Sequence, residues 1–138
     1  HIYNKESMAL YEQWQGSLVG YYGTPVEKCP NLFLTLGPNL YTFSSAFVMI
    51  EAQLNYILSA ITTMRKRQLK TLEVNTDTNR HYNIRLQSAL QKTVWNIGGC
   101  TSYFIDKNGL NSTNWPWTTF YMRRKLGKFE IRDYCVSE

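Results

Sequence analysis

The apolar positions run first in short blocks, then at helical spacing, then in short blocks again. Residues 1–16 are polar with scattered aromatics and predict a short opening helix over 6–14. Two apolar runs at 17–22 and 32–36 read as strands, separated by the turn-rich Gly23-Thr24-Pro25 and Cys29-Pro30-Asn31. The second run, LFLTL, is almost wholly apolar, as in a strand buried on both faces. Gly37-Pro38-Asn39 stops it. The period then becomes helical: Phe47, Ile50, Leu54, Ile57, Ile61 and Met64 are spaced 3, 4, 3, 4, 3. They form one stripe of an amphipathic helix, the stripe such a helix turns to its core. Ser44 or Ser45 is placed to cap its start, and Arg65, Lys66 and Arg67 suit the carbonyl end of its dipole.

A short strand is predicted over 71–74, then a second helix capped by Asp77 and running to about residue 92. Its buried face is Tyr82, Leu86, Leu90 and Val94. Further strands are predicted at 102–105 and 117–122, with a turn at Asp106-Lys107-Asn108-Gly109 between them. The tail from Arg123 is basic and weakly patterned. The fold class expected is α+β, or the trailing part of an α/β domain.

Composition narrows the function classes. A chain of 138 residues, 43% apolar and 18% charged, is one domain or part of one and is not a disordered tail. Fifteen Lys and Arg against ten Asp and Glu leave +5, which permits phosphate contacts without demanding them. Cys29, Cys100 and Cys135 form no C-x-x-C pair, and His1 and His81 are the only histidines, so no metal site is expected. The most apolar stretch, 46–61, is interrupted by Glu51, Gln53 and Asn55 and is shorter than the ~20 residues of a bilayer span. The first residues lack a signal-peptide core. A cytoplasmic setting with no membrane partner is the expectation.

Candidate chemistry begins at the Gly37-Pro38-Asn39 turn. A strand, a tight turn and a helix opening near Ser44 and Ser45 would place free N–H groups and a positive dipole end beside the turn. The same pattern also describes an ordinary strand-to-helix connection with a serine cap. Gly16, Gly20 and Gly23 are spaced wrongly for G-x-G-x-x-G, and G-x-S-x-G, H-E-x-x-H and P-loop patterns are absent, so no catalytic residue is assigned. Two basic clusters, Arg65-Lys66-Arg67 with Lys70 and Arg123-Arg124-Lys125 with Lys128, read as solvated surface in preference to a nucleic-acid face. Asn111-Ser112-Thr113 matches a glycosylation sequon by chance. Seven aromatics between Trp95 and Tyr121 either fill a core, pack on another domain or line a ligand site.

The runs GYYGTPVEKCPNLFLTLGPN, SSAFVMIEAQLNYILSAI, YNIRLQSALQKTVWNIGGCTSYFIDKNG and NWPWTTFYMRR resemble the C-terminal part of flavin-containing, NADPH-dependent monooxygenases. The likeness is to the Baeyer–Villiger type, including 4-hydroxyacetophenone monooxygenase-like proteins. It covers about residues 14–124 through several collinear motifs. It implies that 1–64 is the end of an FAD-binding domain, with the last strands and closing helix, and 65–138 a C-terminal extension with an aromatic, lid-like loop. It further implies that Gly37, Pro38, Asn39, Ser44 and Ser45 approach the flavin of FAD. Asn111 and Trp115 would contact the nicotinamide nucleotide of NADPH, and Tyr41 and Phe43 the small-molecule substrate, a ketone or soft heteroatom. The family's FAD and NADPH fingerprints lie upstream of the matching region and do not occur in these residues. No catalysis and no retained cofactor are therefore expected of the chain alone. Its expected partners are the upstream FAD and NADPH domains, with self-association of the uncovered surface. The alternative is a non-catalytic α+β interaction module, or an anion- or nucleic-acid-binding module.

Overall fold

The computed structural model describes residues 1–41, 45–98 and 103–138. Helix α1 spans Leu10–Trp14 and α2 Ala46–Arg67; strand β1 (Thr71–Val74) leads into α3 (Thr76–Leu90) and a single turn, α4 (Val94–Ile97). After α5 (Thr119–Leu126), a 3-10 turn (Ile131–Asp133) delivers β2 (Tyr134–Ser137). The class is mixed helix and sheet, with one two-stranded antiparallel sheet among the described residues.

Helix α2 matches its predicted extent and corrects its predicted face. Its buried residues are Met49, Ala52, Gln53, Tyr56 and Ala60, on the side that meets α5. Half of the apolar stripe points outward instead: Phe47 is 82% exposed, Leu54 47% and Ile61 44%, joined by Leu58 at 60%, while Ile50, Ile57 and Met64 are half-buried. Ser45 occupies the N-cap position in extended geometry, but its side chain accepts no capping hydrogen bond. At the other end Gln68 turns into the left-handed region (φ 56°), and its N–H returns to the carbonyls of Arg65 and Met64. Arg65, Lys66 and Arg67 occupy that last turn, where cations meet the negative end of the dipole.

Helix α3 buries Tyr82, Leu86 and Leu90, as its spacing predicts. Val94 departs from that face, opening α4 at 73% exposure. The cap is Asn75 and not Asp77: Asn75 Oδ1 accepts from the Asp77 and Thr78 backbone N–H groups at 3.0 and 3.2 Å. Asp77 sits in the first turn, pairing with Arg80 at 2.9 Å.

Four predicted strands are corrected. Residues 17–22 and 32–36 form no strand; the second run makes one isolated bridge, from Phe33 to Pro25. Left-handed residues at Asn31 (φ 61°) and Leu36 (φ 50°) bound the second run and break its extension. Residues 103–105 make a turn and one bridge, Ile105 to Asn111, while Ser102 lies outside the described residues. Residues 117–122 feed α5, because Thr118 accepts the Tyr121 N–H on its hydroxyl and starts a helix there. The opening helix is likewise shorter than predicted, beginning at Leu10.

The tail is more ordered than its pattern predicts. Strand β2 pairs with β1 in the register Thr71↔Ser137 through Val74↔Tyr134. Asn31 serves Leu72 at β1's other edge, its N–H donating to the Leu72 carbonyl and its Oδ1 accepting the Leu72 N–H, both at 2.9 Å.

One main core joins Leu40, Met49 and Tyr56 to Leu72, Leu86, Trp115 and Met122, so both halves of the chain contribute. A ring of tyrosines runs through it. Tyr21 meets Tyr82 edge-on at 5.2 Å, and the Tyr56 and Tyr134 hydroxyls lie 2.6 Å apart. A smaller cluster of Leu10, Val26 and Cys29 takes up Leu32 and Leu34. Among the described residues no helix is long and apolar enough to cross a membrane.

Candidate functional site

The structure brings together two segments that lie 72 positions apart in sequence. Asn39 donates its side-chain N–H to the Asn111 carbonyl at 2.6 Å and to the Asn114 carbonyl at 3.2 Å. Backbone bonds continue the junction: Asn39 N–H to Ser112 O, Tyr41 N–H to Thr113 O and Trp115 N–H to Tyr41 O, at 2.9–3.0 Å. The turn after residue 36 and the loop around 111–115 are thus laced side by side.

Each turn is built locally. Asp106 organises the second: its carboxylate accepts the Asn108 and Leu110 N–H groups at 2.9 and 3.0 Å and the Ser112 hydroxyl at 2.6 Å. Burial pushes this carboxyl up, and those hydrogen bonds outweigh it and hold the pKa below the usual value. Asn111 folds its own loop by accepting the Thr113 and Asn114 N–H groups on Oδ1. The first turn depends on two glycines. Gly23 adopts φ +62°, and a Cβ on Gly37 would collide with the Gly23 carbonyl oxygen.

Gln53, buried on α2, replaces the missing strand partner. Its Oε1 accepts the Leu36 N–H at 2.8 Å, while Nε2 donates to Gly23 O at 2.9 Å and Thr24 Oγ1 at 2.6 Å. Sequence reasoning noted Gln53 only as an interruption in an apolar stretch. Its position on a helix face, where a full amide must find partners, was the available signal.

Beside the junction lies an apolar hollow of about 550 Å³, lined by Trp14, Leu18, Leu34, Leu36, Gly37, Pro38, Leu40, Tyr41, Met49 and Thr113 among others. Gly37, Pro38 and Tyr41 therefore reach the hollow. Asn39 is 2% exposed, Asn111 is fully buried and Trp115 is 2% exposed, each engaged with protein groups. Trp115 packs edge-on against Trp117 at 4.9 Å and donates its indole N–H to Thr118 O. Ser45 is exposed at the start of α2, and Phe43 and Ser44 lie outside the described residues. Three buried polar atoms at the junction have no hydrogen-bond partner among the described residues: Asn39 Oδ1 and both amide atoms of Asn114.

No protein-family model matches the chain. It is 34% identical over 138 residues to a Baeyer–Villiger monooxygenase of Pseudomonas aeruginosa, covering 99% of the chain and 26% of that protein. A Baeyer–Villiger monooxygenase of Streptomyces coelicolor is 34% identical over 142 residues, again with 98% of the chain and 26% of the relative covered. The chain spans about a quarter of the length of these relatives. Among solved structures, cyclohexanone monooxygenase from Rhodococcus sp. Phi1, bound to NADP+, superposes with TM-score 0.85 at 16% identity over 99% of this chain and 27% of its own. Oxidized steroid monooxygenase bound to NADP gives 0.84 at 14% identity, over 98% and 26%.

By fold, then, the chain matches one segment, about a quarter, of the cyclohexanone and steroid monooxygenase structures. By sequence, it is homologous to that segment of the Baeyer–Villiger monooxygenases.

Proposed function

We propose that the chain forms one wall of the oxygenation site of a Baeyer–Villiger monooxygenase and does no chemistry by itself. The observation that carries this is the laced junction of 39–41 with 111–115 against the apolar hollow. Residues 1–64 are the closing part of the FAD-binding domain on this reading, and 65–138 its C-terminal extension, the two sharing one core.

The residues fit one edge of a flat ring and not a whole dinucleotide. The hollow's apolar walls, with Ser112 and Thr113 as polar lining residues, suit a heteroaromatic ring with a polar edge. A glycine turn for a diphosphate is absent from the sequence. FAD and NADPH, when bound, supply the oxygen-transfer chemistry with O₂. The chain's own residues shape and dry the cavity. Leu34, Leu36 and Met49 exclude water, and Gly37-Pro38 lets backbone approach closely. Tyr41, half exposed on the rim, faces a small ketone or thioether, with Phe43 nearby in sequence. Asn111 and Trp115 act by holding the loop in place for the nicotinamide nucleotide; Ser44 and Ser45 offer the start of α2 to the flavin.

A chimera tests the reading: the chain replaces its counterpart in the Pseudomonas aeruginosa relative. Retained FAD and NADPH-dependent oxygenation of cyclohexanone are expected. A folded chimera that retains FAD and consumes NADPH but never oxygenates a ketone or thioether overturns it.

A further inference from the structure

A second cleft, of about 610 Å³, shares no lining residue with the hollow at the junction. It opens between α3 and the segment running from α5 to β2. Five basic side chains line it, Arg85 from α3 and Arg124, Lys125, Lys128 and Arg132 from the other wall. Two carboxylates oppose them, Glu130 and Asp133, so five minus two leaves an excess of three positive charges in a chain whose total is +5. The carboxylates are already engaged. Glu130 pairs with Lys128 at 3.1 Å and with Arg132, and Asp133 accepts the Tyr21 hydroxyl at 3.0 Å. Arg85 and Arg124 pair with no carboxylate among the described residues.

Arg85 is braced and not buried. Its guanidinium lies 5.5 Å over the Trp117 ring, with one long contact of 3.5 Å to the Tyr22 hydroxyl. A guanidinium held by its flat face keeps its forked donors for an oxyanion. Tyr82, also lining the cleft, is 4% exposed, and its hydroxyl is buried in the wall with no hydrogen-bond partner among the described residues.

We propose that this cleft binds a small molecule carrying a diphosphate group. Arg85 and Arg124 grip its oxygens from opposite walls, and Lys125 adds long-range attraction. Convergence of charge around a concavity distinguishes it from a flat nucleic-acid face, which would spread its cations along a track.

Calorimetric titration of the chain with inorganic diphosphate tests this, with ADP as a second probe. Saturable one-to-one binding is expected, weakening as salt rises. Arg85→Gln and Arg124→Gln should each weaken it about tenfold or more, since each removes a charge-assisted pair of hydrogen bonds. Lys66→Gln, the same charge change at the end of α2, should alter it less than about twofold. Diphosphate and ADP affinities within about tenfold of each other would identify phosphate as the recognised group. Heats that never saturate, equal losses in the Lys66 variant, or binding of ADP or long RNA without binding of diphosphate would each overturn the proposal.

Discussion

Helices α2 and α3 both carry apolar residues at helical spacing, yet they dispose of them differently. In α3 the stripe of Tyr82, Leu86 and Leu90 is the core. In α2, Phe47, Leu54 and Ile61 of the stripe are exposed, and Met49, Ala52, Gln53, Tyr56 and Ala60 are buried in their place. Periodicity reports that a face wants cover and does not report what covers it. An apolar face left open marks a surface that a further apolar surface would cover.

The contrast is broken or sharpened first by deleting side chains. Leu86→Ala, at a site with no exposure, should cost about 2–5 kcal/mol in urea unfolding, whereas Leu58→Ala on the open face of α2 should stay within about 0.5 kcal/mol. Equal losses would mean that α2's outer face is covered after all. Next in size is Gln53→Leu. It removes an acceptor from the Leu36 N–H and a donor from Gly23 O, and a loss of about 1–3 kcal/mol is expected by the same measurement. A neutral result would show that the turns need no such brace.

The open stripe should also drive copies of the isolated chain together. Sedimentation at rising concentration is expected to show self-association, and Phe47→Asp should abolish it while changing stability by no more than about 0.5 kcal/mol. A compact monomer at high concentration would count against an unsatisfied face. The smallest effect is on pH. Asp106 has its folded pKa lowered, so its contribution is present above the unfolded value of about 4 and is lost as pH falls through the folded one. Amide exchange in residues 106–113 should therefore quicken below about pH 4, and Asp106→Asn should remove that step.

What the sequence made legible follows from how local each determinant is. The extents of α2 and α3, the strand 71–74 and the Asp106 turn rest on neighbours within a few positions, and all are seen. LFLTL is misread because Gln53 takes the Leu36 N–H that a strand partner would have taken, a substitution visible only once α2 is in place. At 117–122 the apolar run hid the cap at Thr118, a residue type that announces a helix start. Gly37, Pro38, Asn39, Asn111 and Trp115 were picked out from two distant motifs. That Asn39 would bind directly to the Asn111 and Asn114 carbonyls could not be inferred from either motif.

The pairing of β1 with β2 has a consequence in time. Thr71 and Ser137, whose hydroxyls meet at 2.6 Å, are 66 residues apart. Helices α2 and α3 can form within microseconds of leaving the ribosome, but at synthesis rates of ~5–20 residues per second β1 stands without its partner for roughly 3 to 13 s. One edge is not exposed during that wait, since Asn31 has already been made and holds Leu72. The other edge has Lys70 just before the strand, a charge that discourages a neighbouring nascent chain from pairing there first, while Glu73 within the strand is held by Lys5 at 2.7 Å.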